Sequence, residues 1–525
     1  MMTIMHLPLC RLPQATSLPL KAVRRRQPLH LQTHSTTKLH SNMTTQETIL
    51  SKPLRRWLRL SPIICMMNKY LTLFFCIILY ILSYISSQNG LTLLPALSLV
   101  FIAILLYRLE KRSTGEILNL RGLLALGLFG GEGIACLKLS NLSTNWSDTT
   151  WFSFFCFYFC FYAMHELIGY VRKAPAKITM SPFIADIKTS QPQTAASSNV
   201  SKQRFFQYTI SGLLIITWVT FTVEACVLGF IPLFTHNMPH AYSYFHVHGV
   251  HYFTTLSVLI PALTLLYLFE KYPSLPSRDL LCLLKKEPIA ALGFVLPVLL
   301  TILLVSRSQF LFTVLLALFT LILSGRNFRI WQYLLLGASL IIVYSLITVA
   351  RAHSVQYLNG IFDMKNRNMP IFITQPYMYI ANNYDNFNLM TQNLSVHSYG
   401  LKMFYPLFTL SGLKFFIPAL NAQFPAFVTK TELTTVTLLY DAWYDFGMAG
   451  IIILAAFLGA ISAFITQKHA ENKNPLIRLL YAQVAFYFIF SFFTIWFSLT
   501  STWFYMLISL GLYVAFALIE RRVYR

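Results

Sequence analysis

A chain of 525 residues that is 56% apolar, 15% aromatic and only 11% charged is not an ordinary soluble protein, in which about a quarter of the residues carry charge. Its charge is lopsided, with 41 Lys and Arg against 18 Asp and Glu for a formal +23. In a soluble chain that balance would suggest nucleic acid; in a membrane protein it reports first on topology, and no nucleic-acid partner is expected.

The first 42 residues hold no Asp or Glu and include Arg24, Arg25 and Arg26. Residues 1–69 therefore read as a basic cytoplasmic tail, its first 42 positions a disordered extension or an early-assigned start with Met43 as the alternative. Apolar windows of about 20 residues, the length that crosses a hydrocarbon core, then recur along the chain. They fall at 70–86, 91–107, 119–138, 151–171, 208–234, 250–270, 288–306, 308–324, 330–350, 447–466, 476–498 and 501–519. The expected fold is an all-α integral membrane protein of about twelve transmembrane helices: nine over 70–350, three over 447–525, and one large outer loop at 351–446.

Lys and Arg mark alternate connections, as cytoplasmic loops should. The tail to Lys69 carries eleven, 108–121 four, 172–207 six, 271–286 four, 325–329 two, 467–478 three and the C-terminus three. Eight of the 41 remain: Lys138, Arg307 and six within 351–446. Both termini are thus expected in the cytoplasm and 351–446 outside.

Several classes are unsupported. The chain has no Walker-type phosphate loop and no cytoplasmic segment long enough for a nucleotide-binding domain, which argues against ATP-driven transport. It has no Asp-X-Asp triplet of the kind that holds a metal-bound nucleotide sugar. Neither metal nor cofactor is expected, so chemistry would fall to the helices and the outer loop.

Ionisable groups inside spans are expensive and draw attention first. Glu132 sits among glycines at 130–133, and Glu166 lies near an inner span end, where a snorkelling or Arg172-paired carboxylate is the simpler reading. Glu224 precedes Gly229-Phe230-Ile231-Pro232, where the fifth span should break and the carboxylate would face a cavity. Five histidines, His236, His240, His246, His248 and His251, crowd the next connection; polar rim residues are favoured over a metal site, with His251 the one facing the cavity.

Arg307 opens one span and Arg351, followed by His353, closes another at the same face. A guanidinium matches phosphate oxygens bidentately, so the pair suggests an anionic ligand, with Arg367 a third cation on the loop. Asp385 lies in the amide-rich run Asn382-Asn383-Tyr384-Asp385-Asn386, which has sugar-binding character. The stretch 403–420, broken by Pro406, Gly412 and Pro418, suits helices lying on the outer leaflet or over a cavity. Asp441 and Asp445, four apart in Tyr440-Asp441-Ala442-Trp443-Tyr444-Asp445-Phe446-Gly447, share one helix face beside Trp443 and Tyr444, whose rings suit sugar stacking. Helix capping is the plainer role for Asp445.

Taken in order, the Glu224–Pro232 stretch, Ser306-Arg307-Ser308, Arg351 and Tyr-Asp-x-x-Tyr-Asp-Phe-Gly-x-x-Gly at 440–450 resemble the Wzy-type oligosaccharide repeat unit polymerases of bacterial O-antigen and capsule assembly. The resemblance covers roughly 205–465. It departs from an Arg-X10-Gly pattern described for some such polymerases, since eight residues separate Arg351 from Gly360. It implies a fold akin to C-type glycosyltransferases, in the bacterial inner membrane, acting on undecaprenyl-pyrophosphate-linked oligosaccharide. In that scheme Arg307 and Arg351 hold the pyrophosphate, and Asp441, Asp445, Glu224 or His353 takes the acceptor's proton. Partners would be the bilayer, a flippase and chain-length regulators. The alternatives are a lipid-linked oligosaccharide flippase or other carrier, disfavoured because no internal repeat is visible, and an O-antigen ligase.

Overall fold

The computed structural model describes residues 69–173, 192–235, 241–273, 283–325, 331, 355–471 and 474–523. Among them the regular secondary structure is helix, and the only β pairing is an isolated bridge between Ser140 and Met364. The helices are α1 Lys69–Gln88, α2 Leu93–Thr114, α3 Leu120–Ala135, α4 Asp148–Lys173, α5 Pro192–Leu228, α6 Val250–Lys271, α7 Pro288–Leu303 and α8 Arg307–Leu323. They continue with α9 Val355–Phe362, α10 Ile371–Asn393, α11 Tyr405–Leu410, α12 Tyr440–Glu471, α13 Ile477–Ile489 and α14 Thr500–Val523.

Eleven of the twelve apolar windows fall on helices; the ninth, 330–350, lies outside the described residues except for Trp331. Seven helices are long and apolar enough to cross a membrane: α1, α2, α4, α5, α6, α12 and α14. The other four, α3, α7, α8 and α13, have 16, 16, 17 and 13 residues. Thirteen residues rise only about 20 Å, well short of a hydrocarbon core of about 30 Å. The expected span at 476–498 stops at Ile489 because the next carbonyls serve other segments: Ser491 accepts from the Leu438 amide at 2.9 Å and Phe492 from Asn383 Nδ2 at 2.8 Å.

Local chemistry sets the helix ends. Asn119 caps α3 by accepting from the Gly122 amide at 2.8 Å, and Gly115 ends α2 in the left-handed region. Glycines then let backbones approach. A Cβ on Gly133 of α3 would lie 2.8 Å from the Ala96 carbonyl oxygen of α2, and one on Gly459 of α12 would lie 2.6 Å from that of Phe161 of α4. The core gathers on α3, α4, α6, α10 and α13, where Phe129, Phe154, Phe161, Tyr267, Tyr384 and Phe488 are fully buried. Around it α1, α2, α5, α12 and α14 leave Phe74, Ile81, Leu97, Ile215, Val219, Ile453, Leu507 and Leu518 exposed, the kind of apolar wall that faces lipid.

Within 355–446 the large loop carries α9, α10, α11 and the start of α12. α10 is a polar-looking helix of 23 residues wedged against α3 and α4, with 13 of its residues buried. Its connections and those after α1, α3 and α13 meet at one end of the bundle, where Gln88 Nε2 donates to the Trp146 carbonyl at 3.2 Å and the Asn141 amide to that of Asp363 at 2.9 Å. At the opposite end Arg121 pairs with Glu110 at 2.5 Å and with Glu166, which also meets Lys69 at 2.7 Å. Glu166 is thus held by Arg121 and Lys69, partners remote in sequence. Glu132 is fully buried and bonded by the Tyr80 hydroxyl at 2.7 Å.

Candidate functional site

Helix α5 ends where Gly229 turns into the left-handed region and Pro232 starts a single 3₁₀ turn. The chain then comes back over the end of α5, so Glu224, one turn inside that end, lies beneath the residues that enter α6. Its carboxylate is buried. Oε1 accepts from the Val247 amide at 3.1 Å, and His251 Nδ1 stands 3.0 Å from Oε1 and 3.2 Å from Oε2. His251 Nε2 is 3.3 Å from the Tyr242 hydroxyl, which lies 2.6 Å from Gln309 Nε2.

Chemistry orients this chain. A carboxylate only accepts, so His251 Nδ1 carries the hydrogen and Nε2 is left as a base. The Gln309 amide nitrogen only donates, so the Tyr242 oxygen accepts from it and turns its own hydrogen to Nε2. Burial pushes the Tyr242 phenol up to about 12, so the hydroxyl keeps its proton at neutral pH. The His246 ring lies over His251 with centroids 3.9 Å apart.

Gln309 is on the first turn of α8, two residues after Arg307, whose side chain is half-buried. The turn into α8 is strained, since Val305 holds φ +52°, a region β-branched residues avoid. Strain of this sort costs about 1–3 kcal/mol and persists only where the surroundings fix it. Here it aims the start of α8 at Tyr242. The fold therefore brings three sequence candidates, Glu224, His251 and the Arg307 turn, into one place, and adds Tyr242 and Gln309. Those two were not legible beforehand: 67 residues separate them, and the only local hint was the place of Tyr242 in the His-rich segment.

The 440–450 motif makes a second cluster. Helix α12 is broken at Phe446 and Gly447, the latter at φ +57° and ψ −137°. Asp445, buried just before the break, accepts from the Ser398 hydroxyl, from the Lys402 amide at 3.2 Å and from the Met403 amide at 2.6 Å. Asp441, also buried, lies 3.4 Å from Lys402 Nζ, which sits 4.6 Å above the Tyr444 ring. Tyr444 is 1% exposed and packed by Phe424, Phe427 and Tyr440, so its faces are covered within the protein. Trp443 is half-buried with its ring edge-on to Phe387. His397 and Ser398 supply the loop side of the cluster, His397 Nδ1 lying 3.1 Å from the Tyr444 carbonyl.

The amide-rich run is likewise turned inward. Asp385 Oδ1 accepts from the Thr144 amide and hydroxyl at 3.1 Å each and from Trp146 Nε1 at 2.9 Å, while Asn386 holds the Leu433 and Thr435 carbonyls at 2.9 Å each. These residues pin loops together rather than present polar groups to a ligand. Burial raises the Asp385 carboxyl from 3.8 to about 6 against those bonds. The native state then holds a proton that the unfolded chain gives up sooner, so the stability this group contributes is present below about pH 4 and lost as pH rises through about 6. Wild-type protein should lose at most about 3 kcal/mol over that interval. Asp385→Asn, which keeps an acceptor oxygen, should flatten the thermal-unfolding profile between those pH values; an unchanged slope would assign it to other groups.

Arg367 is exposed on the turn between α9 and α10, and Arg351 and His353 lie outside the described residues. Among the described residues no three His, Cys, Asp or Glu side chains converge as a metal site would require. Comparison with protein-family models, with curated proteins and with solved structures returns no match.

Proposed function

We propose that this chain is a multi-pass glycosyltransferase of the bacterial inner membrane that polymerises lipid-linked oligosaccharide units, with His251 as its general base. The proposal includes twelve spans counting 330–350, cytoplasmic termini, and the 351–446 segment and the Glu224 site on the outer side. The observation that carries the catalytic part is the oriented chain Glu224, His251, Tyr242, Gln309 beside the first turn of α8.

In this reaction an acceptor sugar displaces Tyr242 from His251 Nε2. The acceptor O–H gives its proton to Nε2, its oxygen bonds to the donor's anomeric carbon, and the bond from that carbon to undecaprenyl pyrophosphate breaks. Glu224 stabilises the imidazolium through Nδ1–H, as a carboxylate does for a catalytic histidine. Arg307, with the helix dipole of α8 behind it, takes up charge developing on the leaving pyrophosphate. Arg351 would be a second cation from the resemblance, and a flippase and chain-length regulators would act before and beside this step.

Glu224→Gln and Arg307→Ala, restored to a strain lacking the gene, should insert normally yet yield surface glycan of one repeat unit. Loss of a general-base pair costs about 10²–10⁴-fold in rate, enough to erase a glycan ladder on a gel. Full-length polymer in both strains would sink the proposal. Absence of all surface glycan would instead favour ligase or flippase chemistry.

A further inference from the structure

We propose that Phe404–Ile417 is an interfacial membrane anchor whose apolar side chains enter one leaflet beside α14. This inference stands apart from the catalytic reading, since it concerns a surface and not the reaction. The segment folds as α11, a left-handed turn at Gly412 and a 3₁₀ turn at Leu413–Phe415. It places Phe404, Leu407, Leu413, Phe415, Phe416 and Ile417 on the surface, Phe415 and Phe416 at 75% and 82% exposure. Two adjacent phenylalanines so exposed have no place in water on a folded protein.

Three observations identify the occupant as lipid. α11 packs against α14, one of the seven helices able to cross a membrane, whose own Leu507, Leu510, Val514 and Leu518 face outward; the exposed patch thus adjoins a lipid-type wall. The backbone is prepared for an apolar medium, because the amides of Ser411, Gly412, Phe415, Phe416 and Ile417 all bond to carbonyls within the segment. The Ser411 hydroxyl bonds back to the Leu407 carbonyl, and Asn421 covers that of Lys414. Finally, Lys414 lies 5.6 Å over the Tyr405 ring and 5.5 Å over Phe415, a cation with aromatic neighbours as found at headgroup depth. A hydrophilic partner would leave the phenylalanines unpaid for, and a second copy would have to cover Lys414.

The test uses the full-length protein in vesicles of phosphatidylethanolamine and phosphatidylglycerol, with a photoreactive phenylalanine at 416, at 407, or at the exposed control 366. Mass spectrometry after illumination should find at least about tenfold more lipid adduct at 416 and 407 than at 366, because only an apolar face at the interface meets acyl chains. Equal adduct at all three positions, or crosslinks at 416 that join two protein copies in place of lipid, would overturn the proposal.

Discussion

Gly450→Ala should leave little folded protein. The break at Phe446 and Gly447 shifts the first turns of α12 off the axis of the rest, and the Ala442 carbonyl comes down onto Gly450. A Cβ there would sit 1.9 Å from the Ala442 oxygen and 2.8 Å from its carbon. Both are backbone atoms in a buried helix, so no rotamer change relieves the overlap. Overpacking usually costs about 1–3 kcal/mol because side chains yield, and a backbone clash this close should cost more than about 3 kcal/mol. Size-exclusion profiles and thermal unfolding in detergent check it, with Ile453→Ala on the exposed side of α12 as the control expected to be near neutral. A Gly450→Ala protein with wild-type melting would mean that α12 can straighten, and the break would then be dispensable.

Asp445→Ala should destabilise by about 4–9 kcal/mol, since three hydrogen bonds to a charged group, at about 1.5–3 kcal/mol each, are lost. Three donors would be orphaned: the Ser398 hydroxyl and the amides of Lys402 and Met403. The same loop is stitched on by the Ser398 amide to Tyr444 O and the Tyr399 amide to Asp445 O, both 3.2 Å. Its release should open 397–404 to protease, and Asp445→Asn, which keeps one acceptor, should fall between wild type and alanine. An Asp445→Ala protein that is inactive yet as stable and protease-resistant as wild type would restore a chemical role to this carboxylate. The helix-capping role expected from the sequence is not what the geometry shows: the carboxylate takes up donors of the 398–403 loop, not of its own helix.

Hydropathy located helices well because an apolar run long enough to cross a membrane is a local property, so α1, α2, α4, α5, α6, α12 and α14 lie where the windows fell. It missed α10 for the same reason: Asn382, Asn383, Asp385, Asn386 and Asn388 lower the mean hydropathy, yet each is buried because partners distant in the chain satisfy it. It overran α13, whose end is set by carbonyls that Leu438 and Asn383 recruit.

The candidate site divides along the same line. An acid within an apolar helix, a histidine at a helix entry and an arginine opening another are visible residue by residue, and so Glu224, His251 and Arg307 could be named without coordinates. Whether such a group faces a ligand or a neighbouring segment depends on where remote donors fall. Tertiary structure turned Asp385, Asp445 and Tyr444 inward, to Trp146, Ser398 and Lys402, and joined Glu224 to His251, Tyr242 and Gln309. The sequence by itself determined the membrane-like composition, the helix positions and which costly groups needed an explanation, because each rests on short-range chemistry. Only the fold decided which of those groups were already satisfied, because hydrogen-bond partners 23–241 residues apart meet through packing alone.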